Sequence, residues 1–124
     1  MLRLICDSRA TTLLTTPTLL QTYLRRDTDH TLARLSHLFT GGEKLPAALA
    51  DTVEQATGVR PQEGYGATEL APVVAMSLPD RTVGKTRCIG HKPGSAGRPL
   101  PGVALRVADP DTGAALPPHT AGLL

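Results

Sequence analysis

Two glycine-rich polar segments each follow a strand-like run in this chain, and a helix-like segment lies between them. The first run, Leu35 to Thr40, ends in Gly41-Gly42-Glu43; the second, Val59 to Gly64, leads into Tyr65-Gly66-Ala67-Thr68-Glu69. A third strand-like run, Thr11 to Thr15, is β-branched and apolar and precedes both. Between the runs lie two segments with helix signals. Thr16 suits an N-cap, with Pro17 at the first helical position. Leu20 and Leu24 then repeat at helical spacing, with Leu19 and Tyr23 beside them. Arg25 and Arg26 sit near the end, where cations suit the helix dipole. The second helix opens at Leu45-Pro46 and runs through Thr57, with Leu49, Val53 and Ala56 on one face. Gly58 is placed to end it in a left-handed cap. Strand, helix, strand, helix, strand predicts right-handed crossovers and parallel pairing.

This order limits where a ligand can sit. In an open α/β sheet, ligands bind outside the carboxyl ends of the strands, and both glycine-rich segments fall there. Glycine lets backbone groups approach a ligand closely. Tyr65 offers a flat face for a base, Thr68 a donor for a phosphate oxygen, and Glu69 a hard oxygen for Mg²⁺. Read plainly, the same six residues make a strand-to-helix turn with Thr68 as N-cap and Glu69 at the helix start. Gly41-Gly42-Glu43 alone reads as a left-handed turn.

Beyond Glu69 the pattern changes. Leu70 to Leu78 is apolar and fits either helix or strand. Pro79 to Pro101 reads as a long loop rich in Gly, Pro and basic residues. It carries five Lys or Arg from Arg81 to Arg98 and no acid. Such a run is either a solvated loop or a contact for pyrophosphate, CoA or an acidic carrier protein. Val103, Leu105 and Val107 alternate with Ala104, Arg106 and Ala108, which predicts a half-buried strand. Asp109 to Gly113 reads as a turn, and Gly122-Leu123-Leu124 as the start of another strand. These divisions give an α/β unit over residues 1–78, a loop over 79–102 and a small β region over 103–124.

Composition excludes other classes. The net charge of +2 over 124 residues is too small to point to nucleic acid, and no basic stripe is interleaved with aromatics. The aromatics are Tyr23, Phe39 and Tyr65, so the core must be built of Leu, Val and Ala. Cys6 and Cys88 lie far apart without metal-ligand spacing and read as reduced thiols. No run approaches the roughly 20 apolar residues of a membrane span, and no leader is recognisable; a soluble cytoplasmic protein is expected. His30, His37, His91 and His119 have no zinc-ligand spacing and read as surface residues. Asp109 and Asp111 lack the rest of a calcium loop. No Gly-x-Ser-x-Gly elbow points to a hydrolase.

Three segments carry a family resemblance. Gly64-Tyr65-Gly66-Ala67-Thr68-Glu69 resembles the Tyr-Gly-x-Thr-Glu signature of adenylate-forming (AMP-binding) enzymes, which include acyl-CoA synthetases, luciferases and peptide-synthetase adenylation domains. Gly41-Gly42-Glu43-Lys44-Leu45-Pro46 resembles their upstream Gly-Gly-Glu segment. Gly97-Arg98-Pro99-Leu100-Pro101-Gly102 resembles their Gly-x-Pro-x-Pro-Gly strand entry. The wording around these motifs is most similar to the acyl-acyl-carrier-protein synthetase branch, which is often fused to a 2-acylglycerophosphoethanolamine acyltransferase. The resemblance implies the parallel-sheet portion of the large N-terminal domain of such an enzyme, followed by the start of a small β region.

The resemblance also implies roles. Such enzymes join a carboxylate, here a fatty acid, to ATP with Mg²⁺ and pass the acyl group to a carrier-protein or CoA thiol. Tyr65 would stack on adenine, with Gly64 beside it. Gly41, Gly42 and Glu43 would line the adenine pocket through their backbone. Thr68 would contact the α-phosphate and Glu69 would hold Mg²⁺, while Gly66 and Ala67 would border the acyl channel. The family's Lys-bearing phosphate loop, ribose-binding Asp and small C-terminal domain with its catalytic Lys are not recognisable in these 124 residues. The chain is therefore expected to be the middle of a ligase and inactive alone. The alternatives are a nucleotide- or partner-binding module and a degraded gene product.

Overall fold

The computed structural model describes residues 1–124. It holds a five-stranded sheet whose first three strands by position are parallel and whose last two pair antiparallel. Strands β1 (Thr12–Thr15), β2 (His37–Thr40) and β3 (Gln62–Tyr65) are parallel neighbours, in register Leu13 to Leu38 and Thr40 to Glu63. Helices α2 (Pro17–Arg26) and α3 (Ala47–Thr57) are the crossovers between them, so the expected strand and helix order stands.

The helix ends follow local chemistry. Thr16 is the N-cap of α2, its hydroxyl accepting from the Leu19 N–H at 3.3 Å, with Pro17 at the first helical position. Gly58 closes α3 with φ +74°. A short helix α1 (Leu2–Asp7) precedes β1, in a stretch whose sequence is too short to classify. A 3₁₀ turn at Thr31–Arg34 was also not anticipated. Asp27 builds it, its carboxylate accepting the Thr31 and Leu32 N–H groups at 2.7 and 2.8 Å. Those contacts satisfy orphan donors at the turn's start, as any N-terminal cap does.

All of these helices cover one sheet face. The core cluster is Ile5, Leu13, Leu20, Leu32, Leu35, Leu38 and Val53, largely the aliphatic core that the scarcity of aromatics requires. Strand alternation sends the neighbouring side chains to the other face, where Leu14 is 69% exposed.

Beyond β3 the chain departs from the elements its sequence pattern predicts. The segment after Glu69 is neither a regular helix nor a long strand. It is a 3₁₀ turn (Thr68–Leu70) followed by β4 (Ala75–Met76), which pairs antiparallel with β3. The stretch read as one loop contains three strands. β5 (Arg81–Val83) and β6 (Thr86–Cys88) form a separate antiparallel hairpin, and β7 (Arg98–Pro99) pairs antiparallel with β4. The expected strand at Val103–Val107 does not form. Only isolated bridges from Ala108 to Ala115 and Leu123 mark the small β region. Alternation makes an amphipathic strand possible, but a strand needs a ladder of hydrogen bonds to a neighbour; within Val103–Val107 only the Val107 carbonyl, at its end, accepts from across the region, taking the Leu116 N–H at 2.9 Å. The Asp109 turn is present; its carboxylate accepts from the Thr112 N–H and hydroxyl and the Asp111 N–H.

Asp80 anchors the β5–β6 hairpin. One carboxylate oxygen accepts the Gly90 N–H at 3.0 Å and meets His91 Nδ1 at 3.1 Å; the other accepts from Arg87 at 3.0 Å. The Gly90 N–H bond, then Arg87 and His91, hold this carboxyl below its ordinary range. Because the folded group is the stronger acid, its contribution is complete above the ordinary carboxylate value and fades as pH falls through the lowered one. Acidification to that range is expected to speed amide exchange at Gly90 before exchange in β1–β3 accelerates, as measured by pH-stepped hydrogen exchange.

Candidate nucleotide-binding site

The carboxyl ends of β1, β2 and β3 open into a cleft of about 650 Å³. Gly41, Gly42, Gly64, Tyr65, Gly66, Ala67 and Thr68 all line it. Seven of the expected site residues therefore meet in one place, because their strands are parallel neighbours. Tyr65 is 42% exposed and not part of the core. Gly42 takes φ +79°, a conformation that favours glycine. The Gly41 N–H donates to the Thr15 carbonyl at 3.2 Å, tying this turn to β1.

Gly66 also has a local backbone purpose. A methyl group there would lie 1.7 Å from the Pro72 carbonyl oxygen and 2.8 Å from Val73 Cα. The segment after the 3₁₀ turn folds back onto Gly66, and the Val74 N–H donates to the Tyr65 carbonyl at 2.9 Å. Gly66 thus permits a backbone crossing at the cleft wall.

Two carboxylates lie away from this cleft. The Glu43 side chain turns toward α2 and accepts from the Thr18 hydroxyl at 2.6 Å. Its residue instead lines a smaller adjoining hollow of about 270 Å³ with Gly42, Gly64, Tyr65 and Gly66. That arrangement leaves the Glu43 carboxylate a tie between α2 and the Gly-Gly turn. Glu69 lies in the exposed 3₁₀ turn, next to Thr68 but outside the lining of both spaces. Thr68 does not cap that turn: the N-cap position is Ala67, with no side-chain cap.

The cleft also takes residues not singled out in the sequence. Thr15, Thr16 and Thr40 end β1 and β2 and line it, and Pro72, Val73 and Met76 close it from the β4 side. The threonines were within reach of the rule that ligands gather at strand carboxyl ends. The β4 side was not, since it depends on pairing at a distance.

The cleft lining suits the base of a nucleotide, and the Glu69 carboxylate stands outside it, one residue beyond Thr68. An exposed aromatic face stands beside two glycines that leave their backbone accessible. No group of three His, Cys, Asp or Glu side chains is placed to hold a metal. Glu69 is exposed and no ion pair engages it. A lone carboxylate suits Mg²⁺, which binds through one or two carboxylates together with substrate phosphates and water.

A family model described as "AMP-binding enzyme" matches residues 1–124. The chain belongs to the AMP-binding enzyme family. Among its relatives in the AMP-binding family, a chloroplastic long-chain-fatty-acid–[acyl-carrier-protein] ligase of Arabidopsis thaliana is 39% identical over 86 residues, 68% of this chain and 10% of that protein. A putative acyl–CoA ligase of Bacillus subtilis is 34% identical over 121 residues, 94% of this chain and 22% of that protein. ATP-bound MatB from Rhodopseudomonas palustris superposes with a TM-score of 0.78 at 31% identity, covering 98% of this chain and 23% of that one. The chain thus spans between a tenth and a quarter of the length of these AMP-binding proteins. No helix is long and apolar enough to cross a membrane.

Proposed function

We propose that these residues form the adenine-facing and acyl-facing side of a carboxylate-activating site. The fatty-acid carboxylate attacks the α-phosphate of ATP and pyrophosphate leaves; the thiol of a carrier protein or CoA then takes the acyl group and AMP leaves. The observation that carries this reading is the single cleft where Tyr65 and the Gly41-Gly42 turn meet at the ends of adjacent parallel strands.

In this reading Tyr65 stacks on the base, and Gly42, Gly64 and the backbone of Glu43 border it. Thr68 donates to a phosphate oxygen. Glu69 would hold Mg²⁺, whose charge would offset that of the phosphates during attack by the carboxylate. Gly66 and Ala67 border the acyl path. Orientation of acid and phosphate is worth roughly 7–11 kcal/mol in a complete site. The 124-residue chain offers base and metal contacts without a recognisable phosphate loop, so we assign it no adenylation activity by itself. We place it in the cytoplasm, a reducing compartment in keeping with free Cys6 and Cys88.

Fatty-acid-dependent ATP–pyrophosphate exchange tests this. The purified chain with Mg²⁺ is expected to show no exchange above a Glu69→Gln control. Grafted in place of the matching segment of an intact acyl-carrier-protein ligase, it is expected to support exchange. Glu69→Gln in that graft should cut the rate about a hundredfold, the loss expected when one preorganised charge-stabilising contact is removed. Exchange by the chain alone would overturn its assignment as inactive by itself, and a graft without exchange, or an unaltered rate in the Glu69→Gln graft, would refute the site reading.

A further inference from the structure

The β5–β6 hairpin has no role in the cleft. Its strands pair only with each other, separate from the five-stranded sheet. Gly84, with φ +61°, and Lys85 close it. From Arg81 to Arg98 it and its return segment carry Arg81, Lys85, Arg87, Lys92 and Arg98 and no acid. Asp80, at its foot, is already committed to Arg87, His91 and the Gly90 N–H. Arg81, Lys85, Lys92 and Arg98 are exposed and make no ion pair. Val83 and Ile89 stand among them, 57% and 61% exposed.

We propose that this hairpin is a docking arm for an acidic protein surface, of the kind an acyl carrier protein presents. The proposal rests on the acyl-transfer reading above and names the acceptor: a thiol carried on a protein rather than free CoA. Two features favour the protein. First, the cations are spread rather than converging. Arg81 and Arg98 line one hollow, of about 410 Å³, and Lys92 lines a different one. A small polyphosphate is best held by donors that converge on it, whereas a spread positive field steers an extended acidic surface. Second, exposed Val83 and Ile89 supply apolar area that a protein face would cover, as in the dry centre of an interface. The arm is also well placed for delivery. Met76 lines both the hollow at the hairpin's foot and the main cleft, so a partner seated on the arm stands beside the site.

Fluorescence anisotropy of labelled, phosphopantetheinylated bacterial acyl carrier protein, titrated with the full chain, tests this without nucleotide. The result is therefore independent of whether the cleft takes ATP, which the pyrophosphate exchange reads. Arg81→Glu/Lys85→Glu is expected to weaken binding about tenfold, mainly through the association rate. Arg25→Glu/Arg26→Glu makes the same charge change on α2 and should leave binding within about twofold. Lys85→Ala, at the turn, gives a milder loss in a variant whose circular dichroism matches the parent. Equal weakening by both double variants, no binding by the parent chain, or displacement of the carrier protein by equimolar CoA would overturn the proposal.

Discussion

Gly66→Ala is expected to destabilise the chain by about 3 kcal/mol, the upper range for forcing a group into occupied space. The neighbours of the added methyl would be backbone atoms, at 1.7 Å for the Pro72 oxygen, 2.7 Å for its carbon and 2.8 Å for Val73 Cα. A flexible side chain could swing aside; these atoms cannot without moving β4. That strand holds β3 on one side and β7 on the other, so the displacement spreads across the antiparallel half of the sheet. The urea midpoint should fall, and amide protection at Val74 and Ser77, whose N–H groups donate to Tyr65 and Glu63, should be lost first. Gly64→Ala is the control. A methyl there would meet only ordinary contacts, the nearest at 3.6 Å. A Gly66→Ala midpoint equal to that of Gly64→Ala would show that the crossing is not tight.

Leu38→Ala is expected to cost about 3–4 kcal/mol, within the range for truncating a fully buried leucine. Leu38 is wholly buried at the middle of the parallel strands, in register with Leu13 and within the cluster of Ile5, Leu20, Leu32, Leu35 and Val53. Only 17 of 124 residues are buried, so the core is small and has little capacity to repack around a cavity. Domains are stable by about 5–15 kcal/mol, and such a loss removes a large share. Leu14→Ala, one position along β1 from Leu13 but on the open face, should change stability by less than about 0.5 kcal/mol. Urea unfolding of both variants checks the pair; similar losses would mean that the helix-covered face is not the core.

Much of the first 65 residues was legible because its signals are local. A cap acts within three or four residues, so Thr16-Pro17 and Gly58 mark helix ends without reference to the rest of the molecule. Periodicity separates strand from helix, and strand–helix alternation then leaves little choice of topology. Parallel neighbours with glycine-rich carboxyl ends put Gly41, Gly42 and Gly64 to Thr68 together. That half of the candidate site was determined by sequence alone.

The remainder was decided by contacts between distant residues. β4 and β7 are two residues each, too short to carry a period. They exist because hydrogen bonds such as Ser77 N–H to the Glu63 carbonyl and Leu100 N–H to the Val74 carbonyl hold them against their neighbours. Val103–Val107 shows the converse, a strand pattern that meets a neighbour only at its end, where the Val107 carbonyl accepts the Leu116 N–H. The two carboxylates follow the same logic. Glu43 turns away because the Thr18 hydroxyl on α2, twenty-five residues earlier, donates a hydrogen bond to its carboxylate, and Glu69 stays outside because its short turn faces solvent. Residue type and order determined which groups were available and which strands would bring them near. The direction in which each side chain finally points depended on partners that only the folded chain brings within reach.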